Sequence, residues 1–259
     1  VDLTAYDVIL INSSAGKDSQ AMLDYVAALA GAQGVTDRLH VVHCDLGRVE
    51  WAGTRDLAER QAAHYRIPFH VVRRAQGDLL EQVEARGMWP SPKQRYCTSD
   101  HKRGQVARLL TWFGQQHRAA GPVRILNCLG LRAEESPARA KKVELERDAR
   151  QTNGRRIVDT WLPIHDWTTA QVWARIEASG VPHHPAYDLG MPRLSCCFCI
   201  FAPKAALVLA GRHNPELLAE YVAVERRIGH TFKTDLSLAD VQAAVTTEAP
   251  AEALENWRM

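Results

Sequence analysis

Val8-Ile9-Leu10-Ile11-Asn12-Ser13-Ser14-Ala15-Gly16-Lys17-Asp18-Ser19 is the stretch whose reading decides the fold. An apolar run enters a turn of small and hydroxyl residues, and Ala21-Met22-Leu23 through Leu29 then continues with helical spacing. The pattern predicts a strand that feeds a helix N-terminus, where free N–H groups and the positive end of the helix dipole gather. A phosphate is the ligand such a turn suits. Ser13, Ser14, Ala15, Gly16, Lys17, Asp18 and Ser19 are the expected contacts. Ser14 and Ser19 offer hydroxyls, Gly16 allows close backbone approach and Lys17 adds a point charge. The stretch is not a Walker loop, because one Gly alone precedes Lys17 and Asp18 follows it.

Downstream the same alternation repeats. Leu39 to Cys44 reads as a buried strand ending in Asp45-Leu46-Gly47, at the carboxyl edge where open α/β sheets bind ligands. Arg55 to Tyr65 has helical spacing, and Phe69 to Val72 forms a further strand. Val123 to Cys128 is another, ending in Gly130-Leu131-Arg132, with Glu135 and Ser136 beyond. Gly130 again permits close approach, Arg132 suits a bidentate phosphate contact, and Ser136 could cap a helix or touch a ligand. Strands and helices in this order predict an α/β, doubly wound, mostly parallel sheet. The charged stretch 139–156 is expected as an exposed hairpin or mobile loop, with a lid over the nucleotide as its functional alternative.

From Trp161 the character changes. Thr168 and Gln171 stand at capping-box spacing before a helix that stops at Gly180, and the chain after Cys199 reads as mostly helical. Two parts are therefore expected: an α/β domain over 1–165 and a helical, Cys-bearing part over 166–259.

Of six cysteines, Cys196, Cys197 and Cys199 fall together, and Cys97 lies among Lys93, Arg95, His101, Lys102 and Arg103. Those cations, with His101 among them at low pH, are expected to lower the Cys97 pKa and favour the thiolate. The grouping suits metal or redox chemistry better than a disulfide framework. Thirty-two basic and 30 acidic residues leave a formal charge of +2, which neither demands nor excludes a nucleic-acid partner. No apolar run reaches membrane-span length and no signal-peptide pattern is evident, so a cytoplasmic location without membrane partners is expected.

The turn Ser14-Ala15-Gly16-Lys17-Asp18-Ser19 resembles the PP-loop of ATP pyrophosphatases, usually Ser-Gly-Gly-x-Asp-Ser, with Ala15 in place of the first Gly. Asp45-Leu46-Gly47, the Pro92-to-Cys97 segment, Gly130-x-Arg132-x-x-Glu135-Ser136 and Asp166 through Cys199 follow in the order of one family. Together they resemble the phosphoadenosine-phosphosulfate (PAPS) reductase-like branch of the adenine nucleotide α-hydrolase superfamily, over about residues 5 to 200. The resemblance implies a nucleotide cradle of the PP-loop, Gly130, Arg132 and Ser136, with the Asp45 and Gly47 region near the adenosine. Lys17, Asp18 and Arg132 become the expected catalytic residues.

Two departures from the family pattern shape the functional expectation. No cysteine follows Cys199, where reductases carry a nucleophilic thiol, and Cys97 stands alone where cluster-bearing reductases have a Cys-Cys pair. The closest character is that of the Dnd- and Ssp-type enzymes of bacterial DNA phosphorothioation, which belong to phage defence. ATP with Mg²⁺ is then the expected substrate, split to AMP and pyrophosphate. DNA is the expected acceptor, with a cysteine desulfurase and further modification-complex subunits as partners. Cys97, Cys196 and Cys199, with Cys197 fourth or pointing away, are expected to hold a [4Fe-4S] cluster, with zinc as runner-up. A sulfonucleotide reductase, a tRNA thiolase and a non-catalytic ATP-sensing subunit are the rival readings.

Overall fold

The computed structural model describes residues 1–116, 121–247 and 254. Its strands are β1 (Val8–Asn12), β2 (Leu39–Asp45), β3 (Phe69–Arg73), β4 (Val123–Cys128), β5 (Leu145–Arg147) and β6 (Arg156–Trp161). The helices up to the middle of the chain are α1 (Lys17–Gln33), α2 (Thr54–His64), α3 (Leu79–Arg86), α4 (Tyr96–Thr98) and α5 (Gly104–Gln116). They are followed by α6 (Pro137–Ala140), α7 (Thr169–Ser179), α8 (Lys204–His213), α9 (Pro215–Ile228) and α10 (Leu238–Thr247). A π-helical turn, Ser99–Arg103, lies between α4 and α5.

The sheet runs β3-β2-β1-β4-β6-β5. Pairings β1–β2, β1–β4 and β4–β6 are parallel, and β5 is an antiparallel edge on β6. Alternation along the strands sends side chains to two layers. On one face Ile9, Ile11, Val41, Leu126 and Trp161 pack with Met22 and Val26 of α1 and Val172 and Ile176 of α7. On the other, Leu10, Val42, Ile125 and Val158 meet Leu110 and Phe113 of α5. Apolar strands buried on both faces are the mark of a doubly wound sheet, as the sequence predicts.

Two compact units interleave along the chain, where the sequence suggests a single boundary at 165–166. One holds 1–45, 53–72 and 103–184, and with them the sheet; the other holds 46–52, 73–102 and 185–259. In the second unit Trp89 stacks on Tyr221 at 5.3 Å between ring centres and donates its indole N–H to the His230 carbonyl. Glu225 accepts from the backbone N–H of Phe232 and of Leu238, tying the chain after α9 to that helix. Gly211 of α8 is where a Cβ would come within 2.7 Å of Leu218 and 2.9 Å of Val245, so glycine there sets the close packing of α8 on α9 and α10.

The stretch 139–156 is resolved into α6's end, the three-residue strand β5 and a turn. It is a hairpin onto β6, one of the two forms expected from the sequence, and β6 itself lies inside the sheet.

Candidate functional site

The turn after β1 is built by local hydrogen bonds. Ser13 donates its N–H to Val42 on the neighbouring strand and its carbonyl contacts the buried His43 ring at 3.0 Å, which pins the strand end. Ala15 then adopts φ +56°, a left-handed conformation in a residue with a side chain, and is fully buried. Gly16, at φ −80°, is the N-cap of α1, and its carbonyl accepts from Ser19 Oγ at 2.9 Å and from the Gln20 N–H at 2.9 Å. Ser14 and Ala15 N–H groups point to the Ser19 and Ser13 hydroxyls at 3.2 and 3.3 Å. These long bonds are ones that an incoming phosphate oxygen can replace.

Lys17 opens α1 and is 2% exposed, with its Nζ 3.6 Å from Asp18 Oδ2. Asp18 Oδ1 accepts from Arg132 Nε at 2.6 Å. Arg132 itself has no solvent exposure. Its Nη1 donates to Glu134 and to the Trp167 carbonyl, and its Nη2 to Thr169 Oγ1. Burial works against the guanidinium charge, but Asp18, Glu134 and Glu135 outweigh it and raise the Arg132 pKa. Burial works on Glu134 in the upward direction, and its bonds from Arg132 and Thr169 prevail and lower it. Arg132 is thus expected on the phosphates by sequence, yet each of its side-chain nitrogens already meets an internal acceptor.

Gly130 lies where the loop after β4 crosses α1. A Cβ there would sit 3.1 Å from the Asp18 carbonyl and 3.2 Å from the Ser19 nitrogen. Those neighbours are backbone, so they yield only by shifting the turn. Gly130→Val is expected to destabilise the protein by about 1–3 kcal/mol, the usual range for overpacking, with Gly130→Ala milder; denaturant unfolding measures both. Ser136 takes the capping role: its hydroxyl accepts from the Arg139 N–H at the start of α6. Asp45 ends β2, half-buried, in the unit that carries the PP-loop. Gly47 belongs to the other unit, where its φ of +77° and the nearness of Asp78, 2.6 Å from a Cβ built there, account for glycine.

The thiols form a second group, within the unit holding 73–102 and 185–259. None of the six cysteines, all among the described residues, is in a disulfide. Cys97, Cys196 and Cys199 lie within each other's electrostatic reach: charge on Cys199 raises both other thiols, and charge on Cys97 raises Cys196. The Cys97 pKa is raised, against the lowering expected from its neighbours. Burial pushes it up and prevails over the Thr98 hydroxyl, Lys102 and Arg95, which pull it down. His101 is no cation beside it either, being fully buried, held at Nε2 by Gln82 at 2.7 Å, and lowered in pKa by burial first. Cys196 is likewise raised by burial. Cys197 is raised to about 12 by burial, and its backbone N–H donates to the Val49 carbonyl.

The donor set suits a soft metal in kind. Among the described residues, however, no group of three or more His, Cys, Asp or Glu is arranged to hold a metal ion. The sequence reading missed Glu134 and Thr169, the outer partners of Arg132. Their signals were an acid pair two residues after an arginine and a threonine beside a helix N-cap.

A family model described as "Phosphoadenosine phosphosulfate reductase domain" matches residues 8–202. An uncharacterized 37.8 kDa protein of Escherichia phage 186 is 30% identical over 150 residues, 58% of this chain and 43% of that protein. An adenosine 5'-phosphosulfate reductase of Neisseria meningitidis is 32% identical over 159 residues, 61% of this chain and 59% of that protein. The chain thus spans less than two thirds of the length of either relative. Among solved structures, the PAPS reductase of Candida auris in its phosphate complex aligns with TM-score 0.52 at 20% identity, over 75% of this chain and 83% of that one.

Proposed function

Because the chain belongs to the phosphoadenosine phosphosulfate reductase domain family, we propose that it is a PP-loop enzyme that cleaves ATP to AMP and pyrophosphate and so activates a phosphate of nucleic acid for sulfur incorporation. The observation that carries this reading is the turn from β1 to α1, where a left-handed Ala15 and a buried Lys17 define an anion seat at a helix N-terminus.

The substrate is ATP with its Mg²⁺. Mg²⁺ bound with the nucleotide would supply charge stabilisation to the leaving pyrophosphate; Asp18 itself is ion-paired with Arg132 and Lys17. An acceptor phosphate oxygen attacks the α-phosphorus, the α–β anhydride bond breaks, and pyrophosphate leaves with the bonding electron pair. The charge that grows on the leaving group is met by the Lys17 ammonium and the turn's N–H groups. A sulfur nucleophile then attacks the adenylylated acceptor phosphorus and AMP leaves. DNA is the acceptor in this reading, with a cysteine desulfurase and modification-complex subunits supplying sulfur and context.

For Cys97, Cys196 and Cys199 the reading is an iron–sulfur cluster, with zinc as the other soft metal. The soft character of the three thiols and their lack of disulfide bonds support it.

A sulfonucleotide reductase is the second reading, favoured by the reductases among the relatives. Anaerobic incubation with ATP, Mg²⁺ and DNA separates the two. AMP and pyrophosphate in equal amounts are expected. Formation of ADP, or no turnover, would reject the pyrophosphatase; sulfite from adenosine 5'-phosphosulfate with a thiol reductant would establish the reductase.

A further inference from the structure

We propose that the pocket between the end of α5 and the turn that opens β6 binds the phosphate group of a small molecule, held by Arg156 and Arg155. This is a second anion site, and it does not rest on the reading of the β1–α1 turn.

The pocket measures about 440 Å³ and lies within the unit that carries the sheet. That volume is in the lower part of the range for small-molecule sites. Two of its lining residues are arginines and none is acidic. Arg156 is 8% exposed. Of the five N–H donors of a guanidinium, three have acceptors here: Nε on the Gln151 carbonyl at 2.6 Å, Nη1 on Thr111 Oγ1 at 2.7 Å and Nη2 on Gln151 Oε1 at 3.3 Å. All three acceptors are neutral, and two N–H groups remain. No acid among the described residues is ion-paired with Arg156. Burial lowers its pKa and outweighs Asp148, the acid that acts on it at longer range.

Arg132 shows the contrast within the same unit. It is buried as deeply, but Asp18, Glu134 and Glu135 raise its pKa. A buried guanidinium ordinarily meets an anion, because taking the charge out of water is costly. At Arg156 the chain supplies none, and a pocket adjoins the group. A phosphate oxyanion suits the remaining donors of a planar guanidinium already fixed in place.

The surroundings favour the same ligand. Arg155 is exposed and lines the pocket as a second cation. Asn153 Oδ1 accepts from the Arg155 and Arg156 N–H groups at 2.9 and 3.2 Å, which holds the turn and leaves its amide nitrogen as a further donor. A Cβ at Gly114 of α5 would lie 3.6 Å from Arg156 Cβ, an ordinary contact, so alanine would fit there. Alanine would also favour the helix by about 1 kcal/mol. Packing therefore does not demand this glycine, which leaves the wall of the pocket open. Arg156 begins β6 and pairs with Val123 at the start of β4, whereas the phosphate-seating turn leaves the far end of the parallel strand β1. The two anion sites thus lie at opposite edges of the sheet.

Inorganic phosphate titrated into the protein, with backbone amide resonances followed by NMR, tests this against sodium chloride at matched ionic strength. The Gly114, Gly154 and Arg155 resonances are expected to move saturably in the millimolar range. They should move equally in Lys17→Ala, whose lesion is in the other anion site. Arg156→Gln is expected to weaken this binding about tenfold, the scale of one charge-assisted hydrogen bond. Because Arg156 is buried, the exposed Arg155→Gln is measured alongside, with an expected loss of about threefold. No movement, movement matched by sodium chloride, or unchanged affinity in both arginine variants overturns the proposal. A short single-stranded oligonucleotide that moves these resonances at lower concentration than phosphate would overturn the small-molecule assignment in favour of a nucleic-acid backbone.

Discussion

Lys17→Ala is expected to lower ATP-dependent pyrophosphate release by about a hundredfold or more, while leaving the sheet folded. The lysine begins α1, is 2% exposed, and has Asp18 within 3.6 Å. A cation in so dry a place acts on a nearby phosphate through weak screening, far more strongly than a surface lysine does. Its charge adds to the positive end of the helix, where in the proposed reaction the anhydride's leaving oxygen would gather charge. The loss should fall mainly on kcat, since stabilisation of developing charge is made in the transition state. A rise in KM with kcat unchanged would show that Lys17 only binds the ground state. Lys17→Arg and a thermal melt of each variant separate lost charge from lost packing.

Metal loading is the second large effect. After anaerobic reconstitution with iron and sulfide, the protein is expected to carry iron and a broad visible absorbance, and Cys196→Ser and Cys199→Ser are each expected to abolish both. Cys97→Ser should do the same, because that thiol shares the electrostatic field of the other two. Cys197→Ser is the control. Its thiol is buried, and Glu50 rather than another cysteine is the neighbouring charge that raises it. Thiol burial opposes ionisation of Cys97 and Cys196, so loading should speed up as pH rises, since ligation must release their protons. Zinc uptake without colour would favour the zinc site. Failure of all metals would leave the three thiols as a metal-free group.

Local order was readable wherever hydrophobic period and turn chemistry agreed. The β1–α1 unit announces itself by an apolar run, a small-residue turn and a helical repeat, and the Thr168–Gln171 capping box at α7 is present as expected. Strand β6 was hidden because Arg156 and Asp159 interrupt its apolar pattern. In the structure Asp159 accepts from the Tyr6 hydroxyl at 3.0 Å, and Arg156 donates to Thr111 Oγ1 at 2.7 Å, so both buried side chains have hydrogen-bond partners. Such partners lie far away in sequence and leave no periodic trace. Cys97 shows the same limit from the electrostatic side. Neighbouring cations are visible in sequence, whereas the burial that outweighs them belongs to the fold. Arg132 stands out in the sequence, whereas the acceptors that hold it, Asp18, Glu134 and Thr169, belong to the fold.

Ala15 bears on what the empty protein is like. A methyl-bearing residue in a left-handed conformation is disfavoured by roughly 1–2 kcal/mol, and here the side chain is fully enclosed. A glycine at that point would leave the unliganded turn a choice of shapes, each paid for again at every encounter. Alanine removes most of those shapes from the folded chain. If the turn seats a phosphate as proposed, it would meet its guest already in shape, at the cost of that local strain, and less of the binding free energy would be lost to ordering it.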